Sequence, residues 1–446
     1  MCRVEPTIPV TDRHRVVTAC VAVLLAAASV CAQEQLPPTF EFSFSNPGAR
    51  SMGFGGAFAA LADDATAAFA NPAGLVQLVA PEVSIEGRSW SYSTPYVSGG
   101  RIFGPPTGIG EDFTAGLRTE TSDKDLTGLS FLSFVYPTGR WSFAFYRHLL
   151  SNYEFEGTTD GLYSGPWPDF GIRREFAYDR AVDLQIVSYA VAGAYELTES
   201  LSVGLGITYF EGDIDLITDV YGRHQSGIPP EEFFAPVPIV PENRYATASV
   251  LAADRDWGLN LGVHWRPAER WSFGAFFRQG PSFETVLELE AGPSFDFPEL
   301  SGQVISSETA QVPFPDVYGL GASFRSGNDR VTLSFEWDRV TYSSIFSGDP
   351  ELHIDDANEF HLGGEYAFLN LAPIVSLRAG VWLDPDHRIS SFSEENYVAN
   401  ALLTPGEDQV HYAAGIGLAF KRFQLDLAAD FSELVDTVSL SLIYSF

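Results

Sequence analysis

Thiol chemistry is absent from most of this chain. Its three cysteines, Cys2, Cys20 and Cys31, all lie in the first 32 residues, so removal of that segment leaves no disulfide, thiol nucleophile or cysteine metal site. Long apolar runs are equally scarce. The one from Val16 to Val30 spans 15 residues, short of the roughly 20 a membrane helix needs, and nothing after it is as long, which excludes a helical inner-membrane protein. Basic side chains are few, 26 Lys and Arg against 58 Asp and Glu, and that balance repels nucleic acid. The eight histidines are scattered, and neither a G-x-S-x-G elbow nor a Ser/His pair of readable geometry occurs. A lipase or similar enzyme is therefore unsupported, and the expectation is a non-enzyme without a cofactor.

What is present begins with a secretory signal over residues 1–32. Arg13 and Arg15 precede the apolar run, and Val30-Cys31-Ala32 fits a small-residue cleavage rule. A lipoprotein signal would also use a cysteine here, but Val30 is a poor residue before Cys31. Cleavage after Ala32 leaves 23 basic and 56 acidic side chains, a formal charge of −33.

Residues 46–75, NPGARSMGFGGAFAALADDATAAFANPAGL, are rich in Gly and Ala and resemble neither a strand nor an ordinary loop. Asn46-Pro47 and Asn71-Pro72 fix extended or turning backbone at each end. Gly53, Gly55 and Gly56 permit close packing and unusual φ values, and Asp63 and Asp64 are short acids able to accept backbone N–H groups at a turn or helix start. Such a segment reads as a compact plug, within residues 33–81. A permanent seal and a movable hatch are both compatible with it.

From Glu82 onward the pattern alternates at period two. Fourteen strands are expected, at about 82–93, 126–136, 140–155, 178–196, 201–216, 245–266, 270–289, 311–325, 330–344, 357–368, 373–384, 408–420, 422–433 and 436–446. Phe423, Leu425, Leu427, Ala429 and Phe431, for instance, alternate with Gln424, Asp426, Ala428 and Asp430. Alternation also fits a soluble sandwich, so the connections decide. Short links such as 137–139, 197–200, 267–269, 326–329 and 369–372 alternate with mostly long polar ones, which puts all short turns at one end, as in an outer-membrane barrel. Aromatic residues, among them Tyr136, Trp141, Trp265, Trp271 and Phe423, gather beside the short turns like an interfacial girdle. The expected fold is all-β: a 14-stranded antiparallel transmembrane β-barrel over 82–446 with the N-terminal plug inside its lumen. The aromatic end at Phe446 resembles the signal read by the barrel assembly machinery. Acidic pairs such as Asp355-Asp356 lack a ligand spacing, so no metal site is assigned.

The plug carries a family resemblance. Gly55–Phe58 (GGAF), Ala62–Ala65 (ADDA) and Asn71–Leu75 (NPAGL) are similar to the N-terminal segment of the FadL/TodX family of outer-membrane transporters for long-chain fatty acids and other hydrophobic compounds. Weaker matches follow in order at 312–321, 360–366 and 376–385. The resemblance implies a plugged barrel in the bacterial outer membrane, monomeric and bathed in lipid and lipopolysaccharide, that passes a hydrophobic, fatty acid-like molecule by a hatch at Gly55, Gly56, Asp63, Asp64, Asn71, Pro72 and Ala73. It also implies a side exit at a kink in the third strand, yet residues 140–153 contain no Gly or Pro to mark one. Inward parity nominates Arg88, Arg278 and Arg378 for a ligand headgroup, against pairing with lumen acids such as Glu86, Glu336, Glu365 or Asp426. The other reading is an adaptor barrel of the PorV type in protein secretion, which shares the GAF and NPAGL region. The plug disfavours an open porin.

Overall fold

The computed structural model describes residues 46–106, 108, 115–167, 171–174, 177–222, 238–347, 352–391, 403 and 406–446; the signal segment and residues 33–45 lie outside them. Among the described residues fourteen antiparallel wall strands close into a barrel. In chain order they are β1 (Glu82–Arg101), β2 (Leu117–Thr138), β3 (Trp141–Thr159), β4 (Ala177–Thr198), β5 (Leu201–Tyr221) and β6 (Arg244–Ala268). β7 comes in two halves, Trp271–Arg278 and Ser282–Ala291, as does β8, Val304–Pro313 and Val317–Arg325. β9 (Val331–Val340), β10 (Ala357–Phe368), β11 (Ile374–Asp384), β12 (Gln409–Ala419), β13 (Phe423–Phe431) and β14 (Val435–Ser445) complete the wall. Closure is made by β1 on β14, from Glu82↔Ser445 to Tyr92↔Val435.

The alternation explains the two faces. Leu425, Leu427, Leu440 and Leu442 point outward and are exposed, whereas Asp426, Ser439 and Ser441 point inward and are buried. Trp141, Trp265, Trp271 and Phe423 are also exposed, and at the short-turn end they stack with neighbours: Trp141 on Tyr195 at 4.4 Å and Trp271 on Phe324 at 5.0 Å. That end is periplasmic by the rule that outer-membrane barrels keep their short turns there.

Five strands outrun their expected spans by four residues or more on the long-loop side: β1 continues to Arg101, β2 begins at Leu117, β3 ends at Thr159, β5 ends at Tyr221 and β8 begins at Val304. In β2 the added segment LRTETSDKD has charged and hydroxylated side chains on both faces, so it lacks the apolar outer row that marks a lipid-facing strand, while its backbone still pairs with β1 up to Gly100↔Leu117. β7 and β8 break side by side at Gln279-Gly280-Pro281 and Phe314-Pro315-Asp316. Proline cannot donate to the ladder, and Gly280 N–H is taken up instead by Asp316 Oδ1 at 2.9 Å.

β3 departs from its neighbours most. It pairs with β2 only from Thr138↔Trp141 to Phe131↔His148. Its pairing with β4 slips between Leu149 and Ser151, and His148, Leu149, Leu150 and Ser151 are all buried, so alternation lapses for a turn. Beyond this bulge β3 leans onto the inner face of β1: Tyr92 Oη donates to the Asn152 carbonyl at 2.9 Å, and the Tyr92 and Tyr153 rings meet edge to face at 5.3 Å. The kink therefore exists without Gly or Pro. An extra residue in one strand bends it as effectively.

Candidate functional site: a plugged lumen with a slot above it

The plug is built of short pieces, α1 (Ala49–Gly53), α2 (Ala67–Ala70) and a 3₁₀ turn, Pro72–Gln77. Most of its side chains are small, so at several points its backbone itself lies against the wall. Gly262 of β6 and Gly363 of β10 show why the wall must yield at these points. A Cβ on Gly262 would run into Asn71 and the Ala73 nitrogen, and one on Gly363 into the Phe54 carbonyl. These inward strand glycines were missed from sequence, where their only signal is a glycine inside an otherwise regular strand.

Polar anchors finish the fit. Asn71 is fully buried; its Nδ2 donates to the carbonyls of Ala59 at 2.8 Å and Val263 at 3.1 Å, and its Oδ1 accepts from Ala73 N–H at 3.2 Å, capping the 3₁₀ turn through Pro72. His264 Nε2 and Ser272 Oγ both donate to the Ala60 carbonyl, at 3.0 and 2.8 Å. Ala59 N–H donates to Glu336 Oε2 at 2.5 Å and Gly48 N–H to Glu86 Oε2 at 2.9 Å. Gly55 and Gly56 hold φ of 62° and 84°, left-handed values that suit glycine, and this turn presents the Gly55 carbonyl to His361 Nδ1 at 2.8 Å.

The two plug acids differ. Arg50 pairs with Asp63 and, at 3.3 Å, with Asp64; Arg325 reaches Asp63 at 3.3 Å from the wall. Burial pushes both carboxyls up. At Asp63 the two guanidiniums outweigh it and hold the carboxyl below the usual range. At Asp64 burial, aided by the neighbouring Asp63 charge, outweighs Arg50, and the carboxyl is raised. Asp64 Oδ1 also accepts from Thr66 N–H at 2.9 Å, closing a local turn.

Most of these contacts fall near the short-turn ends of the strands, so the plug fills the periplasmic half of the lumen. Above it lies a slot of about 90 Å³. Its floor is Asn46, Met52, Gly55 and Gly56; one side carries Trp90, Tyr92, Leu149 and Leu150, the other Asp338, Glu359, His361, Trp382 and His411. Trp382 is sandwiched between two imidazoles, 5.2 Å from His361 and 3.8 Å from His411.

The slot adjoins a discontinuity in the wall. Above Phe131↔His148 the β2–β3 ladder stops, and the strands meet again through Lys124 Nζ on Glu156 Oε2 at 2.9 Å and Glu156 N–H on Ser122 Oγ at 3.0 Å. Between these limits Gly128 faces Leu149 and Trp90, whose atoms lie 3.4 and 4.0 Å from where its Cβ would be. Leu149 and Trp90 also line the slot.

The three nominated arginines all point into the lumen and are buried. Arg88 holds Glu86 at 2.9 Å. Arg378 holds Asp426 at 2.6 Å and Glu365 at 2.7 Å. Arg278 lies over the Phe69 and Phe276 rings, at 3.9 and 4.7 Å, and donates to Asn46 Oδ1 at 3.3 Å. Of the three, Arg88 alone lines the slot.

A closed fourteen-stranded barrel with an apolar outer belt, its periplasmic half filled by its own N-terminal segment, defines a plugged outer-membrane channel. The family model described as outer membrane protein transport protein (OMPP1/FadL/TodX) matches residues 22–439, and the chain belongs to that family: a transport protein of the bacterial outer membrane and not an enzyme. Among solved structures it is similar to the Pseudomonas putida toluene transporter TodX, at 14% identity and a TM-score of 0.57 over 91% of this chain and 99% of that one. It is also similar to the CymD monoaromatic hydrocarbon channel, at 16% identity and a TM-score of 0.54 over 91% and 99%. None of the curated proteins matches the sequence.

Proposed function

We propose that the protein is a passive channel for small, neutral, aromatic or otherwise compact hydrophobic molecules, which enter the slot from the extracellular side and leave sideways into the membrane between β2 and β3. The observation that carries this reading is the break in the β2–β3 ladder above Phe131↔His148, where Gly128 meets Leu149 and Trp90 of the aromatic-lined slot. Toluene and monoaromatic hydrocarbons, named for TodX and CymD, are ligands of this class.

The same slot is unfavourable to a long-chain fatty acid anion. Asp338, Glu359, Asp384 and Asp430 line it, Arg88 is committed to Glu86, and an anion placed among carboxylates without a free cation pays both desolvation and repulsion. The plug takes the part of a hatch whose latch is Asn71-Pro72-Ala73, with the Gly55-Gly56 turn as its upper surface and Asp63 and Asp64 as its lower tie.

Trp90 and Trp382 in the slot provide the test. Titration of the purified barrel with toluene should alter tryptophan emission, and Trp382→Phe should remove most of the change, while palmitate leaves the emission unaltered. Emission that responds to palmitate and not to toluene would overturn the assignment of ligand class. Co-purification with secreted proteins, without any toluene response, would favour the adaptor.

A further inference from the structure

Three side chains on two adjacent strands converge on one side of the slot, next to its floor. Asp338 of β9 stands directly opposite Glu359 of β10, and His361 follows Glu359 on the same inward face, opposite Glu336. One ligand atom from each of Asp338, Glu359 and His361 lies within 4.8 Å of the others. His361 Nε2 is 3.3 Å from Glu359 Oε2 and 3.9 Å from Asp338 Oδ2.

Two further observations separate this cluster from a merely acidic patch. Asp338 and His361 are only 8% and 7% exposed, yet Asp338 Oδ1 and His361 Nε2 have no hydrogen-bond partner among the described residues. Buried polar atoms left in that condition cost free energy unless something else satisfies them. The second is the tautomer. His361 Nδ1 must donate to the Gly55 carbonyl, so in the neutral ring the lone pair is on Nε2, the atom that faces the two carboxylates. A ring N–H given to a backbone carbonyl is the usual orienting contact of a metal-binding histidine.

We infer that Asp338, Glu359 and His361 form a binding site for a divalent first-row transition cation, with Zn²⁺ as the representative, at the junction of slot and plug. One imidazole nitrogen and two carboxylate oxygens suit such an ion. Ligand bonds of about 2.0–2.1 Å in a tetrahedral arrangement put donor atoms about 3.3 Å apart. The His361–Glu359 separation already meets this, and Asp338 needs to approach by little more than half an ångström. Charge points the same way. Glu336, Asp338 and Glu359 crowd one spot, and besides His361 the cation facing them is Arg278, which is already engaged with two aromatic rings and Asn46.

The cation also ties the hatch. Metal on Nε2 makes Nδ1–H a stronger donor to Gly55, so loading strengthens the bond between plug and wall. Bound cation therefore holds the channel closed.

The experiment is isothermal titration of the purified full-length barrel, free of any polyhistidine tag, with Zn²⁺, beside Asp338→Asn, Glu359→Gln and His361→Gln. The wild type should bind one Zn²⁺ saturably and melt at a higher temperature when loaded, and each variant should weaken binding by about 10-fold or more. The carboxylate variants keep side-chain shape, so they decide the matter if His361→Gln does not assemble. No saturable binding in the wild type, or undiminished binding in both carboxylate variants, overturns the site; the cluster would then be an imidazolium held between carboxylates. Because the readout is binding and not transport, it stands or falls separately from the ligand class of the channel.

Discussion

The two halves of the lumen are built on opposite principles. In the periplasmic half, small residues let backbone meet backbone; the plug's Asn71 donates to the wall carbonyl of Val263 at 3.1 Å, and His264 and Ser272 of the wall donate to the plug carbonyl of Ala60 at 3.0 and 2.8 Å. In the extracellular half, aromatic rings and carboxylates surround a free space, and atoms of Asp338, His361 and Asp430 have no partner among the described residues. Unpartnered polar atoms occur at the plug as well, at Ser51, Ser84 and Asn260, so the halves differ in close backbone packing against free space. On the proposed function, the first half is the seal and the second holds the ligand.

The sharpest way to break the contrast is to spoil the backbone fit. Gly262→Leu places a side chain where Asn71 and Ala73 sit, and overpacking of a close contact costs about 1–3 kcal/mol or more. The plug should be displaced while the barrel still closes, seen as a rise in ion conductance across a planar bilayer together with new protease cleavage within 46–81. Conductance like that of the wild type would mean that the plug tolerates a looser seat than its contacts imply. Asn71→Ala is milder. It deletes one cap and two plug contacts, a loss of about 1–2 kcal/mol, so assembly should be normal and transport altered. An unaltered rate from a normally folded barrel would leave the hatch reading without its latch.

How much of this was legible in the sequence follows from the same contrast. The wall was legible because lipid imposes an apolar outer row on every strand, as at Phe423, Leu425 and Leu427, and the loop alternation fixed their number. The outer ends of β1, β2 and β3 escaped because that constraint is lost above the membrane, where Thr119, Glu120 and Thr121 pair with β1 without any apolar row. The kink in β3 carries neither Gly nor Pro; its sign in the sequence is the lapse of alternation at His148-Leu149-Leu150. The plug's small residues and its Asn-Pro turn were readable, but its seats on the wall were not, since Gly262 and Gly363 acquire meaning only from what faces them. Of the slot cluster the sequence shows only Glu359-x-His361, because register alone brings Asp338 beside them.

The ladder break beside Gly128 tests the central claim most directly. Gly128→Phe directs a ring towards Leu149 and Trp90 without touching the plug, so the barrel should assemble, keep its plug protected from protease, and in proteoliposomes pass toluene no faster than empty vesicles do. Toluene flux equal to that of the wild type, with the barrel intact, would contradict lateral exit between β2 and β3.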